Sequence, residues 1–442
     1  MAQLPWRGTL LASAATALAI AVTSLPLHGA QAQEAAAAPS APCLTLNAPL
    51  QVEEQRLGQA LPGGGAPAGQ RFVEAAGFDG MVQDFADSLC GAGSVAAAQK
   101  VARTHGQRLW DTAVARAQGT RQLGSIDRYD DRPLYWARVY MTRALRQWAA
   151  PFAVNGMQRN GIIRSLDRAS RGISSVQWPA ARGAKRVMIS GFDTYSLDSS
   201  LRNSNPSGAT ALQLDGRTIR TPDGPVTVQT VVFPVNWTDF DQGIVEESFA
   251  QVLARGKNRA DLIMTISQTA RGRMDIEKWA ANARGGSPDN NRNMLFGEVS
   301  RPSHWPQPAD SPNWIPTTLP YRAMIAAKTG PWPVVLNDGI CEWPAGTFPD
   351  ATTVRCQDDP SRGSTAASGP GGNYLSNESM YRSNRLRLGF GLKDFPGGHL
   401  HVSALEYPTD ANALTSPEFE ADRKAVVDQA VALVRAAGAS LH

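Results

Sequence analysis

At Lys185 the chain changes texture: from there to the C-terminus, short apolar runs are separated by glycine-rich turns and amphipathic segments. Such alternation builds an α/β domain, because each strand then has a helix to cover its apolar face. Strands are expected at residues 186–190, 227–235, 261–267, 333–336, 386–391 and 399–404, with helices at 239–253 and 321–327. A last helix is signalled by Ser416 as cap and Pro417 in the first turn; Val427, Val431 and Val434 share a face, and Gly438 is expected to end it. Residues 344–372 are rich in Pro, Gly, Ser, Thr and Asp, a composition that reads as a long surface loop.

Upstream of that boundary, residues 43–184 read as a mostly helical domain. Phe78, Met81, Phe85 and Leu89 recur at helical spacing, as do Leu109, Ala113 and Val114. A third helix starts at Pro133, where Asp130 and Asp131 can cap it, and Leu134, Ala137, Met141, Leu145 and Trp148 line one face. The aromatic residues of this stretch are expected in the core.

The first 32 residues have the form of an export signal: Arg7, an apolar run from Leu10 to Val22, and the small-residue triplet Ala30-Gln31-Ala32 as cleavage site. Residues 33–42, rich in Ala and Pro, then form a flexible tether. The expected location is secreted or periplasmic, with no membrane span after cleavage, since the apolar run is shorter than the ~20 residues that cross a bilayer. Four cysteines, Cys43, Cys90, Cys341 and Cys356, are an even number in a chain bound for an oxidising compartment. Their order suggests the pairs 43–90 and 341–356, and their spacing does not resemble a zinc site.

A formal net charge of +4, from 43 basic and 39 acidic residues scattered along the chain, leaves no basic stripe for nucleic acid. No cofactor or metal is expected.

Hydrolytic chemistry needs a nucleophile on a tight turn, a base within reach, and a group that orients the base. With His28 in the leader, His105 in the helical part and His442 terminal, the α/β part offers His304, His399 and His401. For His399 and His401 the expectation is two rings on opposite faces of a strand, unable to share a metal. Gly371-Gly372-Asn373-Tyr374-Leu375-Ser376 is a glycine turn leading into a helix expected at residues 377–382. A serine there meets backbone N–H groups able to stabilise an oxyanion; the alternative is a surface turn with Ser376 as helix cap. The chain has no G-x-S-x-G elbow.

From Lys185 onward these residues resemble the pyroglutamyl peptidase I (pyrrolidone carboxyl peptidase) family. Val187-Met-Ile-Ser-Gly-Phe-Asp-Thr-Tyr195 with Asn205-Pro-Ser207 is similar to its opening strand and the helix start that follows, and Phe233-Pro-Val235 to its second strand. Gln268, Gly272-Arg273, Glu277-Lys-Trp-Ala-Ala-Asn282 and Pro288-Asp-Asn290 resemble further family segments in the same order. Gly372-Asn-Tyr-Leu-Ser-Asn377 is similar to Gly-Thr-Tyr-Leu-Cys-Asn, and His399-Leu-His-Val402 to Phe-Ile-His-Val.

The resemblance implies a three-layer α/β/α sandwich with a mixed twisted sheet. It also implies a triad of Ser376, His401 and Glu277, and a ring pocket lined by Phe192 and Tyr195 with Gln268 as polar contact. Three departures stand out: serine replaces the nucleophilic cysteine at 376, the Glu277 segment is two residues shorter, and Glu378 stands where the family commonly has histidine. The shorter segment leaves Asp275 as a second candidate for the orienting acid. The implied function is an exported peptidase or amidase acting on a peptide or small amide, a serine variant of a cysteine peptidase family. The alternative is a binding or structural protein on the same fold whose catalysis has lapsed. Oligomerisation stays open.

Overall fold

The computed structural model describes residues 41–441. The expected leader, most of the tether, His28 and His442 lie outside them. Seven strands form the central sheet: β1 (Lys185–Phe192), β2 (Thr218–Thr221), β3 (Gly224–Phe233), β4 (Leu262–Gln268), β5 (Met274–Glu277), β6 (Val334–Asn337) and β7 (Gly397–Val402). Their order is β6-β5-β7-β4-β1-β3-β2. β3, β1, β4 and β7 run parallel to one another, whereas β5 is antiparallel to β7 and β2 to β3, so the sheet is mixed.

Among the described residues six α-helices precede the sheet: α1 (Val52–Gln55), α2 (Ala68–Ala75), α3 (Asp79–Cys90), α4 (Val95–Ala117), α5 (Arg132–Gln147) and α6 (Gly156–Ser170). Six more belong to the α/β part: α7 (Pro206–Leu214), α8 (Trp237–Asp241), α9 (Ile244–Leu253), α10 (Tyr321–Ala326), α11 (Leu375–Gly389) and α12 (Pro417–Ala439).

Because side chains alternate along a strand, each strand divides its residues between two layers. Val187, Ile189, Leu262, Met264, Leu400 and Val402 pack against Val426, Leu433 and Val434 of α12. Met188, Val231, Phe233 and Ile263 face the other way, against Ile244 and Phe249 of α9 and Leu375 and Leu386 of α11. Each fully buried side chain of this size contributes roughly 1.5–3 kcal/mol. The result is the expected α/β/α sandwich.

The helical part shares its core with the α/β part: Leu109, Trp136 and Leu145 lie in one cluster with Leu197, Leu201, Leu212 and Val232. A polar clamp reinforces the contact. Arg138 Nη1 lies 2.9 Å from both carboxylate oxygens of Asp193, just after β1, and Arg171 Nη1 lies 2.6 Å from Asp193 Oδ2. The disulfides are the expected pairs, Cys43–Cys90 and Cys341–Cys356. Among the described residues no helix is long and apolar enough to cross a membrane.

Several local expectations are corrected. The strand expected at 386–391 is the end of α11, since Leu386 packs as a helical residue against α9 and β4 while the flanking arginines are buried with polar partners. Residues 344–372 are not one open loop: Arg355–Gln357 and Thr365–Ser368 pair with Ile340–Trp343 in a separate three-stranded sheet, pinned by Cys341–Cys356. The helix expected over 239–253 breaks at Gly243, whose φ of 85° is left-handed, into α8 and α9. Gly438 does not end α12, which runs to Ala439; a Cβ there would stand 2.6 Å from Val226 Cγ1, so glycine serves close packing on the sheet. α5 starts at Arg132, and Asp131 makes no side-chain cap. Its carboxylate instead accepts from Asn205 N at 2.9 Å and from Ser204 Oγ, joining the two parts.

Candidate active site

Apolar residues on one face of β4, β7 and β5 leave the other face, toward α11, to Thr265 and Ser267, His399 and His401, and Asp275 and Glu277. The ladder sets His399 beside Thr265 and Glu277, and His401 beside Ser267 and Asp275. All six are buried. Polar groups taken out of water are costly unless bonded to one another, so a polar row across the centre of a sheet must be a bonded network.

His399 and His401 share this face. The expectation of opposite faces is corrected by strand geometry itself, since residues two apart point the same way; the rings meet edge to face with centroids 4.5 Å apart. His399 is held at both nitrogens, with Thr265 Oγ1 2.7 Å from Nδ1 and Ser267 Oγ 2.8 Å from Nε2. Burial, followed by the neighbouring His401, pushes its pKa well below that of a free imidazole, so it is a neutral wall of the site.

His401 Nδ1 lies 2.5 Å from Glu277 Oε1. A carboxylate at Nδ1 holds the proton there and leaves Nε2 as the acceptor. The other carboxylate oxygen, Oε2, accepts from Asn337 Nδ2 at 3.1 Å. Asp275 turns elsewhere, to Arg273 Nε at 2.9 Å. Between the two candidate acids, the geometry therefore puts Glu277 against the imidazole.

Ser376 stands in the first turn of α11, whose N-cap, Tyr374, makes no side-chain cap bond. Asn377 fixes this helix start, its Oδ1 accepting from Ala281 N at 2.9 Å and its Nδ2 donating to Ala281 O at 2.9 Å. Gly371 connects the serine to the imidazole. Ser376 Oγ donates to Gly371 O at 3.3 Å, and a Cβ on Gly371 would stand 2.7 Å from His401 Cε1 and 3.3 Å from Glu277 Cδ. Only a glycine lets the backbone lie so close to the His401–Glu277 pair.

Beside Ser376 is a narrow cavity of about 40 Å³ lined by Phe192, Tyr195, Val235, Gln268, Tyr374 and Leu375 among others. By the yardstick of one water per ~10–15 Å³ it holds a few water-sized groups, the scale of a small ring. Phe192 is fixed by Phe233 and Phe240, at centroid separations of 5.8 and 6.0 Å. Gln268 Nε2 donates to Tyr195 OH at 2.9 Å, and Gln268 Oε1 is buried with no hydrogen-bond partner among the described residues. Glu378 is directed away from the cavity and binds Arg284 and Arg382 at 2.6–2.7 Å.

Residues 32–167 match the family model described as PA0049 N-terminal domain, and residues 186–307 and 340–406 match the PA0049 C-terminal domain. The uncharacterized protein PA0049 of Pseudomonas aeruginosa is 33% identical over 506 residues, covering 89% of this chain and 90% of that protein. The chain belongs to the PA0049 family. Glu277, Ser376 and His401 fall inside the stretches matched by the PA0049 C-terminal model, and Asn337 falls in the interval between them. Among solved structures, pyroglutamyl peptidase I from Bacillus amyloliquefaciens is similar at a TM-score of 0.39 and 16% identity, over 58% of this chain and 95% of that one. Pyrrolidone carboxyl peptidase from Pyrococcus furiosus is similar at a TM-score of 0.35 and 19% identity, over 57% and 99%.

Asn337, His399 and Gly371 were not singled out as site residues from the sequence. For His399 a signal was present: Thr265, Ser267 and His399 stand at alternate positions of otherwise apolar strands, a pattern that marks a buried polar face.

Proposed function

We propose that this protein is an exported amide hydrolase that releases an N-terminal pyroglutamyl or similar small lactam group from peptides, with Ser376 as nucleophile, His401 as base and Glu277 as orienting acid. The observation that carries the reading is the 2.5 Å contact of His401 Nδ1 with Glu277 Oε1, against which Gly371 packs while its carbonyl accepts from Ser376 Oγ. A serine hydroxyl does not ionise usefully by itself, so it needs a base whose accepting nitrogen is kept free.

In this mechanism Ser376 Oγ attacks the acyl carbon while its proton passes to His401 Nε2, and Glu277 stabilises the imidazolium. The oxyanion meets backbone N–H groups at the start of α11. His401 returns the proton to the leaving amine as the C–N bond breaks. A water then attacks the acyl-serine, again giving its proton to His401, and Ser376 recovers its own. The ring fits the cavity beside Phe192 and Tyr195, with Gln268 Oε1 as acceptor for a lactam N–H. The two disulfides support export, because such bonds persist in oxidising compartments.

One observation favours a second reading, a lapsed enzyme: Ser376 Oγ is bonded to Gly371 O, and no bond joins it to His401 among the described residues. Resting sites often show loose nucleophile–base contacts, so this geometry is compatible with activity. Labelling with a fluorophosphonate and turnover of a pyroglutamyl anilide separate the readings. Labelling and turnover that vanish in Ser376→Ala support the hydrolase. An inert natural protein that gains turnover in Ser376→Cys supports the lapsed enzyme.

A further inference from the structure

Between the helical part and the loop that follows β3 lies a second cavity of about 650 Å³, within the ~300–1,000 Å³ range of small-molecule sites. It shares no lining residue with the cavity beside Ser376. Its walls come from α1, α5, α6, the segment Pro234 to Gln242, and Asn291 and Asn293.

The charges in and just behind these walls do not balance once the two carboxylates that pair with wall arginines from outside the lining, Asp193 and Glu247, are included. Arg146 pairs with Glu54. Arg138, Arg168 and Arg171 are committed to a group of four carboxylates, Asp167, Asp193, Asp239 and Glu247, at 2.6–3.6 Å. That leaves one negative charge in excess, and Asp239 has the longest of these contacts, 3.6 Å to Arg168. Glu53 adds another. Its Oε1 accepts from Tyr135 OH at 2.9 Å and Asn290 Nδ2 at 3.3 Å, and its Oε2 from Asn291 Nδ2 at 3.3 Å. No cation stands within ion-pair distance of it among the described residues. Arg164, the remaining arginine, is at the exposed rim, 3.5 Å from Gln242 Oε1.

A carboxylate oriented by neutral donors on the wall of a cavity, with no counter-ion, is half of a charge-assisted pair. Burial pushes the Glu53 carboxyl up to about 7 and, with Asp167 nearby, that of Asp239 up to about 6, as expected of acids without full compensation. Leu50, Val139 and Ile163 line the same cavity and offer apolar surface to a methylene chain.

We propose that this cleft binds an organic cation, an alkylguanidinium or alkylammonium group, with Glu53 as its main ionic partner and Asp239 as a second. An anion is disfavoured, because the inward-facing arginines are already paired with carboxylates.

Titration calorimetry on the full mature chain tests this with two probes: agmatine, a free cation, and acetyl-Gly-Arg-Gly-amide, which carries the same group on a peptide. Saturable one-to-one binding of either is expected, about tenfold weaker in Glu53→Gln, with a smaller loss in Asp239→Asn. Tighter binding of the peptide identifies a basic side chain as the ligand, and tighter binding of agmatine a free amine; each supports the site. Ser376→Ala is expected to bind the probes as the natural protein does, so failure of the proposed hydrolase leaves this result standing. No binding of either probe at millimolar concentration overturns the proposal. So does undiminished affinity in both acid variants, each shown to be folded by its unfolding transition.

Discussion

Asn337 donates to Glu277 Oε2 and to the Pro370 carbonyl, each at 3.1 Å. One side chain on β6 thereby joins the acid behind His401 to the glycine turn that carries Ser376. Since Oε1 is engaged by His401, both oxygens of the carboxylate are fixed, and the imidazole has one orientation available.

In the proposed mechanism Asn337 acts as a positioning residue, so Asn337→Ala is expected to lower kcat about tenfold with little change in KM, the effect of losing one orienting hydrogen bond. The downfield proton resonance of His401 Nδ1–H gives a readout that simple destabilisation would not move. It should shift or broaden in Asn337→Ala and be lost in Glu277→Gln. An unchanged resonance in Asn337→Ala refutes the positioning role.

Gly371→Ala tests the other side of the same contact. The new methyl would stand 2.7 Å from His401 Cε1, so either the ring or the turn must shift. Turnover should fall by about 100-fold or more, since an ångström of misplacement suffices for that, and stability by about 1–3 kcal/mol. Gly372→Ala is the control: its φ of 86° makes alanine cost about 1–2 kcal/mol, but no atom lies within 4 Å of the new methyl, so turnover should survive in the folded fraction. Equal activity in the two variants would remove the packing argument.

How legible the fold was depended on which pattern governed each segment. Short apolar runs and the Ser416 cap are local signals, and β1, β3, β4, β6, β7 and α12 follow from them, whereas the four-residue strands β2 and β5 carry no such run and were not among the expected strands. α11 defeats that logic, because Arg382, Arg385 and Arg387 are all buried, compensated by partners such as Glu246, Glu378 and Ser300 that come from distant segments or another turn of the helix. A helix whose buried face is charged has no apolar stripe to read. The three-stranded sheet near Cys341 was hidden for a similar reason, since its strands are short, polar and held by a disulfide. Ser376, His401 and Glu277 were found through motif resemblance, whereas Asn337 reaches Glu277 only through the β5–β6 ladder, which composition does not announce.

The clamp between the helical and α/β parts carries its own expectation. Asp193 is buried and pairs with both Arg138 and Arg171. Asp193→Ala would leave two buried guanidiniums short of a partner, at a cost of about 3–5 kcal/mol, the range for breaking a buried pair from one side. Urea unfolding measures it, and a loss below about 1 kcal/mol would mean that water reaches the clamp.

Glu53 makes a prediction about pH. Its neighbours are Tyr135 on α5, Asn290 and Asn291 on the loop above it, Asp193 after β1 and Arg171 after α6; burial outweighs the hydrogen bonds and Arg171, raising the carboxyl from 4.5 to about 7. The folded protein thus holds this proton more tightly than the unfolded chain does. Its stabilising contribution is complete below about pH 4.5 and is lost as pH rises through about 7. Glu53→Gln keeps an uncharged side chain at every pH and should lack that part of the slope. Relative to the variant, the natural protein should lose about 1–2 kcal/mol between pH 5 and pH 8, less than the full shift implies because the side chain borders a cavity open to water. Other raised carboxyls, such as Asp131 and Asp215 at about 6, titrate in both proteins and cancel in the difference. Urea unfolding of the pair at the two pH values measures it directly; parallel pH slopes would show that Glu53 is ionised throughout and already compensated.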